Sequence, residues 1–390
     1  MKQIKNGRIV LKDRVLENYS LLIDCDEIKG IVETSCVDPS KITTVIDAQG
    51  GYVTPGFIDV HADYIEQMVA PRVTSMMDQK LAMYEFEKEL VTHGITTMFH
   101  SVSLLKDSGK KALRRPENIR KLVQLIDQSH SELHLIHHRF HLRFELDNLE
   151  QYDELIRYLE NDQVHLLSFM DHTPGQGQYR NLEIYKLSYL NDEGYNEAQV
   201  NNQLEERLRS EKITLDKIKY AAEIALKKGI AIASHDDDTI EKLDVTESFH
   251  ASISEFPITM EVAKEAKRRG LMTVMGAPNI LLGKSHAGNL SARDALKENV
   301  VDVLCSDYYP ASLLHAVFQL VHQGEPIEDI IRLVTYNPAK AVHLEDKIGS
   351  IEVGKKADLL ILLELPNGLP AITHVLVNGM LVSQTNYRVY

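Results

Sequence analysis

Between residues 54 and 343, short apolar runs of β character alternate with helical stretches, and the polar residues cluster where the apolar runs finish. The runs are GFIDVHAD, GITTMFHSV, ELHLIHHRFHLRFEL, VHLLSFMDHT, IAIASHDD, ASISEFP, LMTVMGAP and VVDVLCSDYYP, and residues 80–94, 216–229, 258–270 and 293–299 read as helices between them. Eight strand–helix units of this size predict an α/β fold, a (β/α)8 TIM-like barrel with its active site at the C-terminal strand ends. His61, Asp63, Glu145, His172, His235, Glu255 and Asp307 all fall at those ends.

The chain has 390 residues, more than one ordinary domain needs, and 44% are hydrophobic, which excludes a disordered chain. Residues 1–53 and 344–390 carry short strand-like runs, among them Ile9-Val10, Leu21-Leu22-Ile23 and a hairpin signal at Asn378-Gly379. Neither end holds enough core alone, so the two are expected to pair into one small β-sandwich beside the barrel. Residues 175–210 break the barrel rhythm, with Tyr179, Tyr185, Tyr189 and Tyr195 followed by a charged helix. That segment reads as a lid over the site or as a surface excursion or homodimer contact.

With 43 basic against 57 acidic residues the net charge is −14, which argues against nucleic acid or an anionic membrane as partner. An anionic ligand must then be held by a local basic cluster. The three cysteines have no CxxC spacing, so neither a disulfide framework nor a thiolate metal site is indicated. Charges interrupt the first residues and no run reaches membrane-spanning length, so a cytoplasmic protein is expected.

Strand alternation places Asp59, His61 and Asp63 on one face of the first run and Ile58 and Val60 on the other. Residues 139–146 alternate strictly, with Arg139, His141, Arg143 and Glu145 facing the barrel interior and Phe140, Leu142, Phe144 and Leu146 facing the helices. A buried charged row is costly unless paired, metal-bound or ligand-bound. His172, His235 and Asp307 each follow an apolar run. Histidines and carboxylates from separate strands form a mixed N/O set suited to Zn²⁺, with Mn²⁺ or Fe²⁺ as alternatives, and to one or two ions. In APNILLGKSHAGN a Gly-rich loop enters a helix with Asn289 as its expected N-cap, and Lys284, Ser285 and His286 add donors for an anion. TPGQGQYR, which ends in Arg180, has a similar composition.

PGFIDVHAD, the Ser-Asp after the last strand, and NPAKAVHLEDKIGSIEVGKKADLLIL resemble the amidohydrolase superfamily. Within it, DHTPGQGQ, ASHDD, SEFPITMEVAKEA, GAPNILLGKSHAGN and SDYYP resemble the family of α-D-ribose 1-methylphosphonate 5-triphosphate diphosphatases of phosphonate metabolism. The resemblance implies a divalent-metal hydrolase that forms the 5-phosphate and diphosphate from that small-molecule sugar triphosphate phosphonate. It implies His61 and Asp63 as the first-strand metal pair, Glu145 as a bridging carboxylate, and His172 and His235 as later ligands. Asp307 becomes the last-strand ligand and catalytic base, with Asp236 or Glu255 as substitutes. Asp63 stands where most superfamily members have a second histidine. The strand count puts His172 and His235 on the fourth and fifth strands, where the superfamily uses the fifth and sixth, which makes Glu255 a rival ligand. Arg139, Arg143, Arg180, Lys284 and His286 are the available cations for a phosphate-rich substrate. Two other readings stand beside this one: an amide or cyclic-amide hydrolase, which would not need those cations, and a non-catalytic subunit of a pathway complex.

Overall fold

Eight parallel strands pair in chain order: Phe57–Ala62, Ile95–Leu104, His137–Glu145, Leu166–Met170, Ala231–His235, Ile253–Glu255, Met272–Gly276 and Val303–Cys305. They are the first to eighth barrel strands below. The ring closes through a bridge between Ala62 and Asp307, where the Asp307 N–H donates to the His61 carbonyl at 3.0 Å and the Asp63 N–H to the Asp307 carbonyl at 3.1 Å. This is the (β/α)8 barrel that the alternation predicts. The computed structural model describes all residues except 73–74, 107–111, 192–195, 284, 286–288 and 388–390, and only the backbone of 184, 188, 189 and 191.

Helices such as Gln79–Thr92, Pro116–Ser129, Leu215–Lys227 and Met260–Arg268 cover the outside. Several begin where the sequence supplies a cap: the Asp78, Thr214 and Thr259 side chains accept from the amides of Leu81, Lys217 and Val262. Phe140, Leu142 and Phe144 of the third strand pack outward into one cluster with Leu122, Val123, Leu155 and Leu159. Each such side chain contributes about 1.5–3 kcal/mol when fully buried. Inside the barrel, Ile58, Val60, Phe99, Leu166, Ala233, Ile253, Val274 and Val303 form a separate apolar plug.

That plug corrects one expectation. Ile58 and Val60 point inward, although regular alternation would then turn His61 outward. The pairing of the first and second strands shifts register between Asp59 and Ala62, and this irregularity aims His61 into the mouth directly after Val60. Asp59 turns toward the eighth strand: its Oδ1 accepts from the Ser306 amide at 3.1 Å and from the His61 amide at 3.4 Å, and its side chain is fully buried. Burial raises its pKa to about 6.

The chain ends meet in a six-stranded sheet that orders Met380–Gln384, Pro370–Val377, Leu359–Glu364, Tyr52–Pro55, Arg8–Val10 and Val15–Leu16. A four-stranded sheet of N-terminal strands lies against it, and Ile4, Ile9, Leu21, Ile28, Val53, Leu359 and Ile361 fill the space between. The Asn378-Gly379 turn has φ of 48° and 68°, and a Cβ on Gly379 would collide with the Cys25 carbonyl, so glycine is required there. Among the described residues no helix is long and apolar enough to cross a membrane, and the cysteines are free. Within 175–210 the chain forms helices Leu182–Asn191 and Glu197–Arg209. Tyr195 lies outside the described residues and the side chain of Tyr189 is not described.

Candidate metal centre

Two clusters of nitrogen and oxygen ligands face each other in the barrel mouth: His61, His141 and Glu255, and His172, His235 and Asp236. In each cluster the possible ligand atoms lie within 4.8 Å of one another. The clusters adjoin, because the His235 ring centroid is 5.5 Å from that of His61 and 5.6 Å from that of His172. Five of the eight strands contribute, the fifth giving both His235 and Asp236, as expected where parallel strands stop together.

In the first cluster His61 Nδ1 lies 2.8 Å from Glu255 Oε1, and the Ser168 hydroxyl donates to Glu255 Oε2 at 2.7 Å. His141 is wholly buried, which lowers its pKa to about 3 and keeps it neutral. Its Nδ1 is 3.0 Å from the Val60 carbonyl, an acceptor only, so the ring proton belongs on Nδ1. Its Nε2 then presents a bare lone pair to Ser168 Oγ at 2.6 Å, but the single Ser168 proton already serves Glu255. Burial opposes the Glu255 carboxylate, yet His141 and His61 outweigh it and hold its pKa far below the usual range. Excess lone pairs around one anionic carboxylate are a donor set that a cation satisfies.

In the second cluster Glu145 does not join the ligand atoms but orients them. Its Oε2 accepts a hydrogen bond from His172 Nδ1 at 2.6 Å and its Oε1 accepts from the His172 amide at 2.7 Å. That leaves His172 Nε2 facing Asp236 Oδ2 at 3.6 Å. Burial disfavours the His172 cation, but Glu145 and Asp236 raise its pKa to about 9 in the absence of metal. For Asp236, burial is likewise overcome by His235 and His172, and its pKa is strongly depressed. Arg143, 8% exposed, places Nη2 at 3.1 Å from His235 Nε2; burial lowers the His235 pKa to about 4. His235 Nδ1 and Asp236 Oδ2 are 3.1 Å apart, both buried and neither in hydrogen-bond geometry. Such orphaned N and O atoms suit a divalent metal of the Zn²⁺, Mn²⁺ or Fe²⁺ kind.

Asp236, Phe256 and Asp307 follow the fifth, sixth and eighth strands with φ of 53°, 53° and 59°. Left-handed backbone costs non-glycine residues about 1–3 kcal/mol each and concentrates at functional sites. Phe256 lays its ring against His61 and His235 at 4.9 and 5.3 Å between centroids.

Among the residues expected at the site, the structure brings together His61, His172, His235, Glu145 and the rival Glu255. Asp63 and Asp307 are half-buried at the mouth, joined through their backbones, and belong to neither three-ligand cluster among the described residues. Arg143 reaches the mouth, Arg180 is exposed, and Ser285 and Asn289 are half-buried. Asn289 is not the expected cap: Ser291 caps helix Ala292–Lys297. Lys284 and His286 lie outside the described residues. Arg139 lies at the opposite end of its strand, near the barrel floor, because six residues of extended chain separate it from Glu145 by roughly 20 Å. His141, Ser168 and Arg207 were missed as site residues. His141 sat in the inward row, while Ser168 and Arg207 carried no local signal; Arg207 helps to depress the Glu145 pKa from helix Glu197–Arg209.

A third cluster, Glu87, His134 and His138, lies away from the mouth and is closed on itself. Glu87 Oε2 accepts from His134 Nδ1, His138 Nε2 and the Leu135 amide at 3.0, 3.2 and 3.0 Å.

The Amidohydrolase family profile matches residues 200–382. The α-D-ribose 1-methylphosphonate 5-triphosphate diphosphatase of Escherichia coli K12 is 33% identical over 365 residues, covering 92% of this chain and 94% of that protein. The solved N-acetylglucosamine-6-phosphate deacetylase from Pasteurella multocida superposes with a TM-score of 0.65 at 15% identity, over 98% of this chain and 100% of that one. A Xaa-Pro dipeptidase with bound methionine does so with a TM-score of 0.67 at 16% identity, over 98% and 100%. These structures share the fold.

Proposed function

The chain belongs to the amidohydrolase superfamily and, within it, to the family of α-D-ribose 1-methylphosphonate 5-triphosphate diphosphatase, and from that premise we propose a divalent-metal phosphoanhydride hydrolase. It converts the ribose 1-methylphosphonate 5-triphosphate and water to the 5-phosphate and diphosphate, in the cytoplasm. The observation that carries this reading is the 33% identity, sustained over 92% of the chain. The paired ligand clusters support it chemically.

His61, His141 and Glu255 would hold one divalent ion and His172, His235 and Asp236 a second, with Zn²⁺ the best match to the donors. Such ions supply Lewis-acid polarisation of anhydride oxygens and make water a better nucleophile. Glu145 fixes the His172 ring so that Nε2 faces inward, the part an outer carboxylate plays for a ligating histidine. Asp307, held at the end of the eighth strand by bonds to the first, takes the proton of the attacking water on its carboxylate. Asp63 beside it is a further ligand or holds Asp307 in place. Arg143 offers the mouth a buried cation for phosphoryl oxygens, with Arg180, Ser285 and Asn289 as further contacts; Lys284 and His286, which lie outside the described residues, belong to this proposal by sequence alone.

The test is metal analysis of the purified protein together with product analysis on a panel of sugar triphosphates. Diphosphate release that needs bound metal is the expected result. Hydrolysis of cyclic amides with no action on any triphosphate would replace this reading with the amide-hydrolase one.

A further inference from the structure

Arg139 is the member of the inward row on the third barrel strand that the mouth leaves unused. It lines a cavity of about 220 Å³ on the barrel floor with His165, Lys228 and His343, against apolar walls from Phe99, Ile230 and Val342. The guanidinium is partly buried and forms no hydrogen bond or ion pair with any described residue, and its Nε is buried without a partner. Burial pushes the Arg139 pKa down, the mark of a charge that its surroundings do not compensate.

The groups facing it are basic or already committed. Lys228 Nζ pairs with Asp162 and the Glu160 carbonyl, and Asp162, the one carboxylate among the described residues that line the cavity, has a side chain that is 76% exposed. His165 Nδ1 accepts from the Phe140 amide at 3.0 Å, so its Nε2 carries the proton of the neutral ring as a free donor. Burial first, then the Arg139 and His130 charges, lower the His165 pKa to about 3. His130 Nε2 is occupied by the His138 carbonyl at 3.0 Å.

An uncompensated guanidinium in a cavity is costly, and arginine is the side chain best matched to tetrahedral oxyanions. The volume corresponds to roughly seven waters at about 30 Å³ each, enough for one such group. We propose that the floor cavity binds a small tetrahedral oxyanion of the orthophosphate class, held by Arg139 with Lys228 and His165 Nε2 as further donors. The site lies at the opposite end of the barrel from the metal centre and rests on no assignment made there.

Binding to the folded state alone raises its thermal midpoint with ligand concentration. Orthophosphate should therefore raise the midpoint of the full-length wild-type protein beyond chloride at matched ionic strength, and diphosphate in its place separates a free phosphate from a product of anhydride cleavage as the source. R139Q should bind orthophosphate at least tenfold more weakly by calorimetry, and K228Q should fall between. Tungstate soaked into crystals should give an anomalous peak beside Arg139, which also decides the matter should R139Q fail to fold. A peak at the mouth alone, or an R139Q response equal to wild type, would overturn the proposal.

Discussion

Ser168 has one proton and two acceptors that need it, Glu255 Oε2 at 2.7 Å and His141 Nε2 at 2.6 Å. A cation shared by His141 and Glu255 removes that conflict, and the hydroxyl then orients the carboxylate. Ser168→Ala should therefore lower metal affinity or activity by about 10- to 100-fold, as loss of an outer-sphere partner does, with metal content after dialysis as the readout. Asp307→Asn should lower kcat by about 10²- to 10⁴-fold while KM changes far less, since proton acceptance is needed only in the transition state. Retention of activity within a few-fold would move the base to Asp236 or Glu255. At this scale the sequence was legible wherever a ligand ended an apolar run, as His61, His172 and His235 do. His141 stood in the inward row but looked like one histidine among many, and Ser168 acts only through groups on the third and sixth strands. No local pattern can report a contact made between residues 87 positions apart.

Elements set what those residues can reach. The strand order was readable from periodicity, and so was the pairing of the two chain ends, because each apolar run was short and bounded by turn residues. The register shift in the first strand was not readable, since FIDVHA shows plain alternation and the irregularity arises from pairing with the second strand. The cap of helix Ala292–Lys297 was misread for a related reason: Asn289 and Ser291 are both good caps, and the loop path decides between them. Helix Glu197–Arg209 begins with a capping box between Asn196 and Gln199. Asn196→Ala should destabilise that helix by about 1 kcal/mol, seen as faster amide exchange over residues 197–209. Its effect on Glu145 through Arg207 gives the segment a route to the site beyond covering it. In the β-sandwich, Glu352 meets Ser350, Lys12 and Lys355; burial raises its pKa, but these partners lower it overall from 4.5 to about 2. A depressed carboxylate stabilises the fold above its unfolded pKa and loses that contribution as pH falls through the folded one. Wild type should thus lose stability between pH 4.5 and 2 by circular dichroism, and Glu352→Gln should lack that part of the loss; the partly exposed pair makes the effect modest.

The whole molecule carries a net charge of −14, yet the reading asks it to bind a triphosphate. Long-range attraction cannot supply that binding, so the metal centre and the few mouth cations must do so locally. Chelation should therefore abolish turnover, with Zn²⁺ or Mn²⁺ restoring it, and full activity in metal-stripped protein would remove the metal assignment. The same division of labour bears on which phosphorus is attacked. A centre at the C-terminal strand ends lies deep in the mouth, and divalent ions, if held by His61, His141 and Glu255 and by His172, His235 and Asp236, would supply positive charge beside the anhydride. Attack at the α-phosphorus makes diphosphate the leaving group in one step, with its charge shared by the mouth cations and the adjoining loops. Attack at the γ-phosphorus would release orthophosphate first. Turnover in H₂¹⁸O should then place the label on the sugar monophosphate and leave diphosphate unlabelled. Label in diphosphate would instead locate the attack at the β-phosphorus, and orthophosphate as first product would reject the diphosphatase reading.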